Sequence, residues 1–455
     1  AAASVFRGSF SRSAALAVAG ASLPMLATLI DHSMLYRTIS GRYEVLEVLR
    51  QYATEQLVST PEQATAAHRR HCATYLGWLG DLEPALKGAG GEAGPDQLAA
   101  LDAIGEDLGN IRAAWHWAVE QGEIAQMQPA VLSLGLYCEM SSQFRVGMTL
   151  FDEAIHAFGG DAAAHSGSPS GNSVPAAFLG LLLALKGEWC QRLSTPGAMV
   201  SLQRAIELLD PGGPSKELAL ANVLSCYGQT WLTPEAMQRR LEESLAYFQA
   251  HNDAWGVALT LTVLGEKLHL ATLGDRRTAK ADITEALAIH QKTGNLWGSA
   301  MSLFTLGSIA LVAEAYPTAQ QYYQESLEVR DQLGDTYGVA NCIRGLGWIA
   351  YRLGELDEAE RLQRRSVALL DGIGCTHGTT DSLNILASIA RDRGDLASAK
   401  AQLLEARVRH RTLQQTGEHV AHTLLALGGI CRDLGDLEAA ERYETESRAA
   451  SQRRL

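Results

Sequence analysis

Apolar and small residues recur at a fixed spacing from about residue 126 onward. Gly298, Gly338 and Gly378 stand 40 residues apart, and Gly307 and Gly347 share a later place in their units. Alanines recur at the corresponding place in the second half of successive units, at Ala319, Ala359, Ala399 and Ala440. Small residues at such places let the two helices of a hairpin approach closely. The pattern therefore predicts an array of helical hairpins.

The turns between these helices carry their own signal. In Gly394-Asp395 and Gly435-Asp436 the glycine suits the left-handed end of one helix, and the acidic residue favours the start of the next. The small residue in the first helix of each unit marks eight hairpins, at Gly135, Gly187, Gly228, Gly265, Gly307, Gly347, Ala387 and Gly428. The first four are irregular, and the Gly-, Ser- and Pro-rich stretch 159–175 predicts a loop insertion.

The spacing and the small-residue positions resemble the tetratricopeptide repeat. The period of 40 residues exceeds the usual value of about 34, so each unit is expected to have slightly longer helices. An unrelated helical bundle is the alternative, but it would not need self-similarity over consecutive units. The expected fold class is all-α, a tetratricopeptide superhelix of about eight hairpins preceded by a smaller front part.

Residues 29–57 predict a different element. Leu29 to Met34 ends an apolar helix, two short strands flank a Ser40-Gly41 turn, and helical spacing resumes at Glu47. A helix, a two-stranded wing and a helix form many DNA-binding domains. However, residues 1–58 hold five Arg and no Lys against four acidic residues, and the helix after the wing itself carries Glu47 and Glu55. This composition argues against direct contact with DNA.

Composition narrows the possible environments and partners. The 455 residues carry a net charge of −13, which argues against a nucleic-acid-binding protein as a whole. The seven cysteines are scattered and form no C-x-x-C pair, so they predict small buried residues in a reducing cytoplasm. Ser13 to Ile30 is uncharged, but Gly20 and Pro24 break it into two short pieces, unlike a signal peptide. No membrane span is predicted.

The front third adds a second resemblance. The segment GRYEVLEVLRQYATEQL looks like the winged helix of bacterial signal-transducing ATPases with numerous domains, the STAND class. The segments HRRHCATYLGWLGDLEPALKG (68–88) and EDLGNIRAAWHWAVEQG (106–122) resemble the helical connector of that class. The resemblance implies a winged-helix domain at 1–58, a helical connector at 59–125 and a repeat array at 126–455.

Two departures from that class matter. No G-x-x-x-x-G-K-[ST] phosphate loop occurs, so we expect the chain to be the C-terminal part of a longer protein. ATP or ADP with magnesium is then expected only in a preceding N-terminal domain. A histidine contacts ADP in many relatives, and the matching residues here are Val45, Leu46 and Glu47. Leu46 cannot donate that hydrogen bond.

Few residues point to metal binding or catalysis. His68, His71 and Cys72 share a helical face, but a closed zinc site needs four ligands and no fourth is evident. The remaining clustered histidines are expected to be solvated helix residues: His410, His419 and His422. No G-x-S-x-G elbow occurs. We therefore predict no catalytic, cofactor or metal site in this chain.

The tetratricopeptide resemblance implies that the first helix of each unit lines a concave groove. The implied groove residues are Asn341, Arg344, Trp348, Tyr351, Arg352, Asp381, Asn384, Ser388, Arg391, Met301, Phe304, Ser308, Thr262, Glu266 and His269, with Asn222, Ser225, Gln229, Glu188 and Gln191 in earlier units. Trp348 packing as core is the alternative to its lining the groove. Trp255, Trp297 and Tyr337, which precede unit-starting glycines, are expected in the core.

These features predict a sensing and regulatory arm. The groove is expected to bind a protein, a peptide or a small inducer, and the winged helix to relay binding to an ATPase core in the same protein. Relatives of this kind form oligomers when their ligand binds, and many regulate transcription. The alternative is a free-standing tetratricopeptide adaptor for protein–protein interaction.

Overall fold

The computed structural model describes residues 1–89, 96–159, 174–193, 195–227, 232–375, 378–412 and 418–452. The chain forms two compact units. The first comprises Ala1–Cys138 and Arg145–Leu182, and the second comprises Glu139–Phe144 and Leu183–Leu455. The predicted insertion at 159–175 falls almost wholly outside the described residues, as do Gly228 and Gln229.

The first 58 residues contain the predicted hairpin between helices. In order they form a 3₁₀ turn at Ala2–Val5, α1 at Arg12–Ala19, α2 at Leu23–Asp31, β1 at Leu35–Arg37, β2 at Tyr43–Val45 and α3 at Glu47–Val58. The strands are antiparallel, with Leu35 opposite Val45, and Phe10 bridges to Tyr43 on the other side of β2. The predicted order of helix, hairpin and helix is confirmed.

The turn at Gly20 sets the angle between the first two helices. Gly20 ends α1 with φ of 64°, in the left-handed region that favours glycine, and α2 leaves α1 at 100°. Among the described residues no single helix is long and apolar enough to cross a membrane, whereas α1 and α2 together pass that test of length and composition as a bent pair.

The rest of the first unit is a helical layer. Its helices are α4 at Pro61–Asp81, α5 at Glu83–Leu86, α6 at Gln97–Gln121, α7 at Ile124–Met127, α8 at Ala130–Met140, α9 at Phe144–Gly159 and the first half of α10 at Ala176–Arg192. The indole of Trp115 is fully buried and donates to the carbonyl of Leu150 at 2.9 Å. At the front, Asn110 accepts a hydrogen bond from the Arg7 amide at 2.7 Å. These contacts join the hairpin segment to α6 within one core.

The second unit is built from paired helices. After α10 come α11 at Ala198–Leu209, a 3₁₀ turn at Asp210–Gly212, α12 at Lys216–Ser225, α13 at Pro234–Ala250, α14 at Ala254–Val263, a π-helix at Leu264–Thr272, α15 at Arg276–Thr293, α16 at Leu296–Val312, α17 at Tyr316–Leu333, α18 at Thr336–Arg352, α19 at Leu356–Gly372, α20 at Thr379–Asp392, α21 at Leu396–Thr412, α22 at Glu418–Asp433 and α23 at Leu437–Gln452. Contacts pair α10 with α11, α12 with α13, α14 with α15, α16 with α17, α18 with α19, α20 with α21 and α22 with α23. With α8 and α9 before them, the described helices follow the chain order of the eight predicted hairpins. The fold is all-α and of the tetratricopeptide type.

The recurring small residues lie where two helices touch. A side chain at Gly307 would place its Cβ 2.8 Å from the ring of Tyr323, and one at Gly347 would meet Gln363 at 2.6 Å. The alanines of the second helices are as tightly enclosed, since Ala319 and Ala359 are fully buried. The pattern of small residues therefore reports close helix packing, as predicted.

In three hairpins the N-terminus of the first helix, α14, α16 or α18, is capped by the same kind of side chain. Asp253, Asn295 and Asp335 accept hydrogen bonds from the amides of the glycines three residues later, at 2.8 to 2.9 Å. An N-cap of this kind satisfies a backbone donor that the helix leaves open. All seven cysteines are buried and unbridged, as the sequence predicts.

Candidate functional site

A groove cavity of about 400 Å³ lies against the first helices of three successive hairpins. Helix α18 contributes Asn341, Arg344 and Trp348 to its wall. The other predicted groove residues in this wall are Phe304 and Ser308 from α16, and Asp381, Asn384 and Ser388 from α20. The structure thus brings together eight predicted residues from three helices. We call this space the groove cavity.

Polar side chains in the groove cavity hold one another in place. Arg344 donates through Nη1 to Asp381 at 2.8 Å and through Nη2 to Asn341 at 3.1 Å. Asn384 bonds to the hydroxyl of Thr423 at 3.0 Å. These bonds fix the donors and acceptors that a bound chain would meet, which reduces the entropy lost on binding.

Trp348 both lines the groove and packs against the core. Its ring lies in the wall of the groove cavity, and it also contacts the buried cluster that contains Ile385 and Ile389. Tyr351 lies beside it with the ring centroids 5.7 Å apart. Trp348 is therefore a half-buried wall residue whose removal would affect both packing and the groove surface.

Four of the predicted residues, Tyr351, Arg352, Arg391 and His269, lie outside the walls of this cavity and of the cavity beside it. Tyr351 backs Trp348, and Arg352 pairs with Glu314 beyond the end of α16 at 3.1 Å. Arg391 pairs with Asp433 at 2.8 Å, and His269 with Asp282 at 2.5 Å. The three ion pairs join residues of different elements, which a spacing rule based on one helix does not reveal.

The predicted groove residues of the earlier units are mostly enclosed. Those with little exposed surface are Thr262, Asn222, Ser225 and Glu188. Ser225, for example, donates to the carbonyl of Asn222 at 2.7 Å within its own helix. These side chains pack between helices and line neither cavity.

A second cavity, of about 250 Å³, adjoins the groove cavity and is lined mainly by charged groups. We call it the ionic cavity. It shares Phe304, Asn341, Arg344 and Asp381 with the groove cavity. The remaining wall residues are Glu139, Arg192, Tyr227, Glu266, Lys267, Trp297, Met301, Arg330, Asp335, Tyr337 and His419. Of the predicted groove residues, Glu266 and Met301 lie here.

The charges of the ionic cavity form close pairs. Arg192 contacts Glu139 at 2.6 Å, and Lys267 contacts Glu266 at 2.6 Å. Arg330 and Asp335, both buried, lie 2.5 Å apart. Low-dielectric surroundings strengthen these attractions, but removing one partner would leave an uncompensated buried charge.

Arg192 is the centre of this arrangement. Its guanidinium lies 4.9 Å from the ring centroid of Tyr337, 5.7 Å from Tyr227 and 6.0 Å from Phe144. Aromatic faces attract a guanidinium through their quadrupoles. The neighbouring Trp189 indole donates to Glu139 at 3.1 Å.

The carboxylates around Arg192 have shifted acidities. Burial raises the pKa of Glu188 to about 7, against the opposing pull of Arg192, and burial also raises the pKa of Glu139. Burial works in the same direction at Glu266, but the Lys267 ammonium holds the pKa of that carboxyl below its ordinary value. Glu188 therefore changes protonation near neutral pH, and Glu139 is harder to ionise than a free carboxyl.

The sequence analysis did not predict two structural features that place residues in or beside the ionic cavity. Segment Glu139–Phe144 belongs to the second unit, where Ser142 accepts from the Tyr337 amide at 2.9 Å. The π-helix carries Glu266 and Lys267. The spacing of four between Glu188 and Arg192 was a visible signal for an ion pair, observed here at 3.2 Å. Trp255 and Trp297 are buried, as expected, and Tyr337 is partly buried. Trp297 and Tyr337 also line this cavity.

The residues that the STAND resemblance matches to an ADP-contacting histidine, Val45 to Glu47, lie in the first unit. A small cavity of about 140 Å³ there is lined by Arg7, Val45, Glu47 and Arg50, among others. Leu46 is outside this lining and 46% exposed. Arg50 lies 2.5 Å from Glu47, so its charge is already partly neutralised.

The histidine clusters have structural surroundings. His71 is buried beside Asn110, and burial lowers its pKa to about 4, while His68 stacks on Trp117. His410 was expected to be solvated, but it is buried and bonds to Thr423 at 3.1 Å. That expectation was wrong because α22, which carries Thr423, packs against α21 and covers this side chain. No group of three potential metal ligands occurs among the described residues.

Comparison with known proteins identifies the repeat class. Residues 298–371 match the tetratricopeptide repeat family, over α16 to α19. No curated protein sequence matches the chain. The matched region includes α16 and α18, which form part of the wall of the groove cavity.

Solved structures with a similar arrangement are distant in sequence. A STAND protein with a tetratricopeptide repeat sensor from Pyrococcus horikoshii aligns over 99% of this chain and 61% of that chain, at 14% identity and a TM-score of 0.42. The apo quorum sensor NprR from B. thuringiensis aligns over 77% and 97%, at 15% and 0.45. The apo form of RapI aligns over 75% and 96%, at 13% and 0.47. The chain spans about three fifths of the archaeal protein's length.

Proposed function

We propose that the groove cavity binds a protein segment, a peptide or a small inducer, and that the chain is the sensing arm of a STAND-type signalling ATPase. The observation that carries the binding role is the set of fixed polar groups beside Trp348 on three helices. Trp and Arg at the centre of a concave surface are the side chains most often found at binding hot spots.

In this proposal the domains keep the boundaries 1–58, 59–125 and 126–455. The helix–hairpin–helix of residues 1–58 relays binding to an ATPase core, and differential affinity for two states shifts that core toward an oligomerising form. Helix α2 carries no Lys or Arg and exposes Leu23 and Met25. This composition supports a protein-contacting role over a DNA-reading one.

The groove is tested by selecting displayed peptides on the immobilised full chain and titrating the selected peptides against variants. We expect Trp348→Ala to weaken them by roughly 2 kcal/mol or more. Trp117→Ala, which removes a half-buried indole in the first unit, is the matched control and should bind normally. A large fall in melting temperature with unchanged affinity would assign Trp348 to packing alone.

The free-standing adaptor is the competing proposal, and the gene separates the two. A phosphate loop encoded before the first residue of this chain would support the ATPase arm. A full-length gene without one would support the adaptor. Fluorescence anisotropy with duplex DNA at moderate salt tests the DNA reading, and tight, salt-sensitive binding would overturn the relay role.

A further inference from the structure

Three buried hydrogen-bond donors in the wall of the ionic cavity lack an acceptor. They are the hydroxyl of Tyr227 and the Nε groups of Arg192 and Arg344, and none has a hydrogen-bond partner among the described residues. Glu188 lies 3.2 Å from Arg192 Nε, but it makes an ionic contact there and not a directed hydrogen bond. Buried donors are nearly always paired, because leaving one without an acceptor forfeits the hydration it had in the unfolded chain.

The carboxylates of the cavity wall are already engaged. Glu139 pairs with Arg192, Glu266 with Lys267, and Asp335 with Arg330. A cationic ligand would have to compete with these built-in cations. A ligand that supplies acceptor oxygens would instead complement donors that have no hydrogen-bond acceptor. Lys267, an ammonium, has further donors to offer.

The adjoining groove cavity offers apolar surface to the same ligand. Leu311, Ile385 and Trp348 lie in its wall, while Arg344 belongs to both cavities. A ligand with an apolar part near Trp348 therefore has its polar end within the same continuous set of wall residues. The ionic cavity supplies most of the charged groups, and the groove cavity supplies Trp348, Leu311 and Ile385.

We propose that the ionic cavity binds the carboxylate of an amphipathic ligand whose apolar part lies against Trp348. The proposal rests on the groove being a binding site. The carboxylate accepts hydrogen bonds from Tyr227 and from the two guanidinium groups. Such charge-assisted bonds are stronger than neutral ones. The C-terminal residue of a peptide and a free organic acid share this chemistry.

Carboxylate binding is accompanied by proton uptake. The charged groups that face Glu188 are Arg192 on its own helix, Glu139, and Glu266 and Lys267 on the π-helix. An added negative charge disfavours ionisation of Glu188 and Glu139 further. Protonation of one of them offsets the ligand's charge, so affinity is highest below pH 7 and falls as pH rises above it.

The test titrates the full chain with two pairs of probes, N-acetyl-leucine with its amide, and octanoate with octanamide, at pH 6 and pH 8. At least one acid should bind about tenfold more tightly than its amide, because the amide loses the charge-assisted bonds. Binding should be tighter at pH 6. A preference for N-acetyl-leucine identifies a peptide C-terminus, and a preference for octanoate identifies a free acid. Amides that bind as well as acids overturn the proposal.

Tyr227→Phe removes only the hydroxyl and should fold normally. It should weaken the preferred acid by about tenfold and leave the amide unchanged. Tyr322→Phe, a half-buried tyrosine outside both cavity walls, is the control. Equal acid binding by both variants would contradict the proposal. If peptides still bind through Trp348 but acid and amide bind alike, the groove function stands and the carboxylate site fails. If neither peptides nor probes bind, both fail.

Discussion

At the scale of single residues, Gly338 shows that little space remains for a side chain at the start of α18. A Cβ at this position would overlap the guanidinium of Arg330 and the carboxylate of Asp335, which form a buried ion pair. We expect Gly338→Ala to lower the free energy of unfolding by about 3 kcal/mol, because the pair must move or separate. Urea denaturation followed by circular dichroism measures the change.

Gly372→Ala is the matched control for that substitution. Gly372 ends α19, a methyl group added there would meet nothing within 4 Å, and the residue needs no positive φ. Alanine there should be neutral or stabilising by up to about 1 kcal/mol, since it is the better helix former. Equal destabilisation by both alanines would show that helix propensity or a general effect, and not the ion pair, governs Gly338.

Residue spacing within one helix explains which groove residues could be predicted from the sequence. Asn341, Arg344 and Trp348 are spaced by three and four on one regular α-helix, so their common face followed from the sequence. Tyr227 and Arg192 come together only through tertiary contacts between separate hairpins. A spacing rule within one helix cannot predict such a meeting.

At the scale of elements, a serine in the second helix repeatedly joins the two helices of a hairpin. Ser326, Ser366 and Ser447 donate to the carbonyls 26 residues earlier, at 2.7 to 2.9 Å, and all three are buried. The remaining regular hairpin, α20 with α21, has Ala406 at the equivalent place. Ala406 is fully buried and has no hydroxyl to form this bond. The serine is therefore a stabilising addition and not a requirement of the hairpin.

Ser366→Ala should consequently cost about 1 kcal/mol, the value of one buried hydrogen bond whose carbonyl keeps its helical partner. Ala406→Ser is the reciprocal change, and its effect reports whether the hydroxyl is accommodated in the remaining hairpin. Both are measured by urea denaturation of the full chain. An unchanged stability for Ser366→Ala would mean that the bond contributes nothing beyond helix packing.

The elements themselves were largely predictable, and their irregularities were not. Small residues and turn residues predicted where the hairpins lie, because closely packed helices accept few other residue types at those positions. The π-helix at Leu264–Thr272 was not predictable from an α-helical spacing, since its wider turn displaces the residues that follow. Glu266 therefore lies in a cavity wall, whereas His269 turns to Asp282 on the next helix.

At the scale of the whole molecule, the 455 residues contain no phosphate loop. We expect the full chain neither to bind ATP tightly nor to hydrolyse it, because the backbone cradle and lysine that hold the phosphates are not encoded here. Calorimetry with ATP and magnesium should give only the heat of dilution. A micromolar dissociation constant would reveal a nucleotide site of another kind.

The pH dependence of stability combines buried groups that act in opposite directions. Burial lowers the pKa of His71 and of His290 to about 4, so protonation of the unfolded chain below pH 6.5 favours unfolding. These histidines make stability rise with pH between about 4 and 6.5. Burial raises the pKa of Glu188 to about 7 from 4.5. That carboxyl contributes stability below pH 4.5, which is lost as pH rises to 7.

The difference between the wild-type chain and Glu188→Gln isolates the carboxyl from the histidines, which are common to both. Glutamine stays neutral and keeps the shape of the protonated acid, so the two proteins should have similar unfolding free energies near pH 4.5. The variant should gain relative stability as pH rises to 7, because only the wild type must then ionise a buried group beside Glu139. Urea denaturation at half-unit pH intervals measures this difference. A difference that stays constant from pH 4.5 to 7 would mean that Arg192 neutralises Glu188 fully, and would remove the basis for proton uptake on carboxylate binding.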